Sequence, residues 1–203
     1  MPTVLVPRQR VVRWFGNFET RHGAAHLTVA DGELCGRAQD GSSFSAQLPF
    51  GRAYGGPADV ASFGADCEPP STWGILLVRK GGFAVARLAG DAIVESKVGQ
   101  RHVQGRTAAG GQSQQRFARR RDNQARAAYE AAADHAARIV GTVPVLVAGG
   151  DHAAVTAVLE DARLSRLAKS VVGGFLTVPD PRRRVLESAI VEACSVRLEV
   201  ENA

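Results

Sequence analysis

Cysteine is scarce and dispersed: Cys35, Cys67 and Cys194 are the only three in 203 residues. An odd number placed so far apart supports neither a disulfide framework nor a CxxC metal knuckle. His22 and His26 lie four apart with Cys35 beyond, but the spacing of a zinc finger is missing, so free thiols and no metal are expected. Long apolar runs are absent as well. Nothing approaches the roughly 18 to 20 residues that span a bilayer, and no basic segment with a following apolar stretch opens the chain. The expectation is a cytoplasmic protein with no membrane partner. No internal repeat or low-complexity tract is evident.

The most local absence is of acids. From Lys97 to Arg126 eight cations (Lys97, Arg101, Arg106, Arg116, Arg119, Arg120, Arg121 and Arg126) face the single acid Asp122, a balance of +7 in a chain whose net charge is +5. The remainder is therefore acidic by 2. Concentrating all basic character in one window is the footprint of a phosphate-binding surface rather than a device for solubility.

What is present reads as an ordinary globular protein, with 45% apolar and 22% charged residues, and a length that suits one domain plus a small N-terminal unit. Val11, Phe15, Phe18 and His22 recur at helical spacing over residues 8–22, closed by Gly23. The runs AHLTVA and ELCGRA flank Asp31-Gly32, a hairpin signal, and SFSAQLPF follows. Residues 1–50 are thus expected to form a small helix-plus-hairpin unit. Residues 51–72, rich in Gly, Pro and Ala without periodicity, read as a linker or long loop.

From residue 73 three strand-like runs (73–80, 83–89 and 92–98), separated by Gly81-Gly82 and Gly90-Asp91, predict an antiparallel meander. The pattern turns helical from Ser113 to about Val140, with Phe117, Ala118, Ala125, Ala128, Ala132, Ala136 and Ile139 on one face. A buried strand over 143–148, a helix over 152–168, a weak strand over 171–177 and a last helix over 181–197, capped by Asp180, complete an α/β sandwich spanning 73–203. Trp14, Trp73 and Tyr129 fall at apolar positions and are expected in the core. Gly149-Gly150-Asp151-His152 lacks the Lys-Ser/Thr of a nucleotide P-loop and reads as a tight strand-to-helix turn.

Inside the basic window lies Gly110-Gly111-Gln112, with Gln100, Gln104, Gln114, Gln115 and Gln124 nearby. Chance would place such a triplet in about one chain in ten of this composition, so its surroundings carry the weight. Arg116, Arg119, Arg120 and Arg121 occupy the first turns of the expected helix, where the macrodipole disfavours cations by a few tenths to about 1 kcal/mol each. Stability does not call for them. Arg116, Arg119, Arg120 and Asn123 share the side opposite the apolar stripe, where they and the free N–H groups at the helix start would meet anions.

The stretch VGQRHVQGRTAAGGQSQQRFARRRDNQARAAYE resembles the catalytic region of the release-factor-like peptidyl-tRNA hydrolases of ribosome quality control. It is similar to their actinobacterial branch, whose eukaryotic relative carries ankyrin repeats and a zinc finger. More distantly it resembles the middle domain of archaeal and eukaryotic class I release factors. The resemblance covers about residues 73–200. It implies an RNase H-like α/β domain, and a monomer needing no cofactor whose partners are the large ribosomal subunit, its rRNA and peptidyl-tRNA. It further implies that Gly110, Gly111 and Gln112 act at the ester joining peptide to tRNA, while Arg101, Arg106, Arg116, Arg119, Arg120, Arg121 and Arg126 hold RNA. Residues 1–70 lack the Asn-Ile-Lys-Ser signature of codon reading, so rescue of stranded peptidyl-tRNA is expected rather than termination.

Two rival readings come from other classes. An RNase H-like nuclease would need clustered carboxylates, for which Asp91, Glu95, Asp151 and Asp180 are the candidates near strand ends. Their positions beside Gly90, Gly150 and Pro181 suit turns and caps better. A non-catalytic RNA adaptor would use the same basic window without Gln112. Arg182-Arg183-Arg184 forms a second basic cluster that would face rRNA or simply solvent.

Overall fold

Val11, Phe15 and Phe18, spaced for one face of a helix, are the seed of the first of two compact units. That unit comprises Met1–Pro69 with Ile190–Ala203, and the second comprises Pro70–Ala189. The computed structural model describes residues 2–100 and 125–203. In the first unit β1 (Thr3–Pro7) leads through a 3-10 turn into α1 (Val11–His22), then β2 (Ala25–Ala30), β3 (Glu33–Ala38), β4 (Ser43–Gln47) and α2 (Val60–Asp66). The C-terminal strand β9 (Ser195–Glu201) returns to pair between β1 and β4, giving an antiparallel sheet of order β1-β9-β4-β3-β2.

The α1 face buries Val11, Phe15 and Phe18 with Leu34, Phe44, Ala46, Val196 and Leu198 of the sheet. Trp14 packs partly buried at its edge, stacked on Phe18 at 5.6 Å and edge-on to Phe44 at 5.5 Å. The predicted hairpin forms, with Asp31 and Gly32 at φ 51° and 78°, the left-handed pair that a two-residue turn requires. Gly36 has a packing reason. A Cβ there would lie 2.3 Å from the Phe44 ring directly across the ladder.

Three expectations fail in this unit. Residues 51–72 are no linker: Asp59 caps α2 by accepting from the Ser62 N–H at 2.8 Å, and Tyr54, Phe63 and Cys67 enter the core. Arg52 fixes the segment by donating to the carbonyls of Asp66 and Glu68 at 2.7 and 2.9 Å. A helix of 7 residues is too short to announce itself by periodicity. The Cys67 thiol donates to the Phe63 carbonyl, and burial pushes its pKa up to about 11, which makes it an inert structural thiol. The last helix also stops short. SVRLEVE alternates Val196 and Leu198 inward with Arg197 and Glu199 outward, so residues 195–201 pair as β9, and residues 1–50 do not form a unit by themselves.

The second unit is mixed α/β. β5 (Trp73–Arg79), β6 (Gly82–Ala89) and β7 (Ala92–Gln100) form the predicted antiparallel meander, and β8 (Leu146–Gly150) adds in parallel to β5, giving the order β7-β6-β5-β8. Helix α3 (residues 125–135) runs into a π-helical turn, Ala136–Val140, ended by Gly141. Then come α4 (His152–Leu159), a 3-10 turn at Ala162–Leu164, α5 (Ser165–Ala168) and the start of α6 (Arg183–Ala193).

Leu76, Val78, Phe83 and Val85 form a core with Ala132, Ala136 and Ile139 of the α3 face and with Val155, Val158, Leu164 and Leu167. Tyr129 packs partly buried against it. Trp73 is fully buried and its indole N–H donates to the Gly90 carbonyl at 2.9 Å.

The boundaries moved for local reasons. β8 begins after Pro144, which cannot donate to a ladder. The helix over 152–168 breaks at Asp161, whose carboxylate accepts from the Arg163 N–H at 2.9 Å and starts the 3-10 turn. Residues 171–177 make only two isolated bridges, Val171 to Leu146 and Leu176 to Gly149, with Gly173-Gly174 between them. The last helix begins at Arg183 rather than Pro181, its first bond running from the Leu186 N–H to the Arg182 carbonyl at 2.9 Å. Gly150, at φ 108°, passes so close to β5 that a Cβ would lie 2.2 Å from the Val78 carbonyl oxygen. Asp151 then caps α4 through the Ala154 N–H at 3.2 Å, as a tight strand-to-helix turn requires.

Candidate nucleic-acid interface

Charge separates the two units. The second contains 18 Lys and Arg against 10 Asp and Glu, a net of +8, and the first contains 7 against 10, a net of −3. A polyanion would therefore be met by the second unit.

Gly110, Gly111, Gln112, Arg101, Arg106, Arg116, Arg119, Arg120 and Arg121 lie outside the described residues. The described residues that flank them lie in β7 and α3. β7 ends at Gln100, paired opposite Gly82, and α3 is in place from residue 125. One side chain serves both points. A Cβ at Gly99 would lie 2.3 Å from the Phe83 ring, so glycine is what lets β7 cross it, and the same ring stacks on His135 of α3 at 5.5 Å. A second tie joins β7 to the π-helical turn that continues α3, Arg138 donating to Glu95 at 2.6 Å. Replacing Phe83, which is 5% exposed, by Ala is expected to cost about 3–5 kcal/mol of unfolding free energy, read as a lower urea midpoint. An unchanged midpoint would show that Phe83 does not anchor these elements.

Arg126 is the one predicted RNA-binding residue within the described residues, and it is exposed. It lines a cleft of about 540 Å3 with Lys80, Ala125, Tyr129, Glu130, Ala133, Ala157, Glu160 and Asp161. Lys80 sits on the β5–β6 turn, and no signal in the sequence marked it. The small side chains of Ala125, Ala133 and Ala157 leave the space open. Asp161 brings little net charge to it: hydrogen bonds from Arg163 at 2.7 and 2.9 Å hold its pKa at about 2, so the pair persists at any ordinary pH. Burial raises the Tyr129 pKa, with the Asp151 charge adding to the effect, so the phenol stays neutral.

The carboxylates that a nuclease would use are engaged separately. Glu95 pairs with Arg138, Asp151 caps α4, and Asp180 pairs with Arg79 at 3.5 Å, while Asp91 is exposed in the β6–β7 turn. Among the described residues no group of His, Cys, Asp and Glu is placed to hold a metal ion. His22 instead meets Asp40 through Nδ1 at 2.8 Å. Among the described residues no helix is long and apolar enough to cross a membrane.

The family described as "Actinobacteria/chloroflexi VLRF1 release factor" matches residues 71–199. No curated protein matches the sequence. Two solved structures show a distant likeness. One is "Crystal structure of archaeal translation termination factor, aRF1", 12% identical over 94% of this chain and 63% of that chain, with a TM-score of 0.39. The other, "Archaeal protein", is 13% identical over 94% of this chain and 65% of that chain, with a TM-score of 0.36. The chain spans less than two thirds of the length of either, and at these scores the likeness is too loose to transfer residues.

Proposed function

Since the chain belongs to the actinobacterial and chloroflexi VLRF1 release-factor family, we propose that it hydrolyses the ester of peptidyl-tRNA on the large ribosomal subunit. The observation that carries this reading is the Gly110-Gly111-Gln112 triplet, set within the family-matched residues and inside the window that holds the chain's positive excess. The catalytic group is Gln112. Its backbone N–H stabilises the negative charge that develops on the ester carbonyl oxygen, and its side-chain amide orients the attacking water. Gly110 and Gly111 allow positive φ and a close approach to RNA. No strong base is required, because an aminoacyl ester is already activated and positioning supplies much of the rate.

Arg101, Arg106, Arg116, Arg119, Arg120, Arg121 and Arg126 hold rRNA or tRNA phosphates around that ester. We class the β7-β6-β5-β8 sheet with its helices as RNase H-like. The protein acts in the cytoplasm as a monomer without a cofactor, and it rescues peptidyl-tRNA rather than reading a stop codon. The direct test uses purified large subunits carrying labelled peptidyl-tRNA. Stoichiometric protein should release the peptide, and retention of the label at saturating protein would sink the proposal.

A further inference from the structure

Four cations of the second unit, Lys80, Arg126, Arg182 and Arg184, have no carboxylate partner among the described residues, and Lys80 and Arg126 meet at one end of its sheet. It is the end where β7 runs out at Gln100, where β5 and β8 finish at Arg79 and Gly150, and where α3 is in place from residue 125. Lys80, on the β5–β6 turn, shares its cleft with Arg126. The other side of that turn meets the approach to α6. Arg79 donates to the Val178 carbonyl at 2.8 Å and pairs with Asp180, and a Cβ at Gly81 would lie 3.1 Å from Asp180 Oδ2. Arg182 follows two residues later. Arg126 and Lys80 thus share a cleft on one side of the turn, Arg182 follows the segment that meets its other side, and Arg184 lies in the first turn of α6.

Stability does not explain them. Arg182 caps α6 and Arg184 lies in its first turn, where the macrodipole disfavours cations. Arg183, between them, is satisfied by Glu187 at 2.7 Å and by Ser96 Oγ at 3.0 Å. Most acids nearby are engaged as well, Asp161 and Asp134 by Arg163, Asp180 by Arg79 and Glu95 by Arg138. Glu130 and Glu160 line the cleft beside Arg126.

We propose that Lys80, Arg182 and Arg184 form a track for the sugar-phosphate backbone of RNA that adjoins the basic window of residues 97–126 at Arg126. Cations spread from the β5–β6 turn to the first turn of α6, rather than converging on one point, match a ligand with repeated charges and not a single phosphate. The proposal takes the RNA setting from the function proposed above. It adds residues outside the glutamine loop that hold the RNA.

The test is binding of the triple variant K80A/R182A/R184A across about 50 to 200 mM salt, to large subunits free of tRNA and, separately, to free tRNA. In at least one arm the slope of log affinity against log salt should fall by about 2 to 3, and that arm names the RNA as ribosomal or transfer. All three side chains are exposed, and a circular dichroism spectrum like wild type verifies folding. The control R166A/K169A removes two exposed cations at the opposite end of the sheet, where the Ser170 carbonyl accepts from Leu146 at the start of β8. It should leave both slopes unchanged. Unchanged slopes for the triple variant, or an equal loss in the control, would overturn the track. If wild-type protein binds RNA with the stated dependence yet releases no peptide, the hydrolase reading fails while the track stands.

Discussion

Gln112→Ala slows peptide release on saturated large subunits by about 10²- to 10³-fold while leaving affinity for the subunit unchanged. The size follows from what orienting the attacking water is worth, since misplacing a reacting group by about 1 Å already costs about 10²-fold. The split between rate and affinity follows from the proposed roles: Gln112 carries no charge, and phosphate contact is assigned to the arginines. A backbone N–H survives the substitution, so the variant keeps part of the oxyanion contact and loses the amide that orients water. Single-turnover release and subunit binding, measured on the same preparation, separate the two effects. Equal loss in both would reassign Gln112 to docking, and wild-type release would remove it from the chemistry altogether.

Neutralising Arg119, Arg120 and Arg121 together produces the opposite pattern. Removing three cations from the phosphates they meet lowers the salt slope by about 2 to 3, which at near-physiological salt is on the order of a 100-fold weaker complex. Once the protein is saturating, the bound complex should release peptide at close to the wild-type rate, because the proposed role of the three arginines is to hold phosphate and not to act on the ester. A slope that does not change would mean that these arginines face solvent, and the charge excess of the second unit would need another explanation.

Elements with an unbroken period were readable from the residues alone. Val11, Phe15 and Phe18 gave α1, Asp31-Gly32 gave the β2–β3 hairpin, and the apolar run from Trp73 gave the first strand of the meander. What was missed depends on the partner rather than on the segment. β9 alternates inward and outward because β1 and β4 flank it, and nothing in SVRLEVE names strands 150 or more residues away. α2 exists because Asp59 caps it and Arg52 ties down its carbonyl end, through bonds between positions 14 and 16 residues apart. Around the candidate interface the charge excess was legible as composition, whereas the Phe83 contacts to Gly99 and His135 and the meeting of Lys80 with Arg126 arise only when strand and helix are packed. Arg138 could not be matched to Glu95 from sequence, which left Glu95 among the candidate carboxylates of the rival nuclease reading.

The most direct test of ester hydrolysis is a single-turnover reaction on large subunits bearing peptidyl-tRNA, run in ¹⁸O-labelled water, with both products analysed by mass. The account predicts a peptide carrying one ¹⁸O in its terminal carboxylate and a full-length tRNA with its terminal adenosine intact. A shortened tRNA, with the peptide still esterified to a released nucleotide, would contradict it.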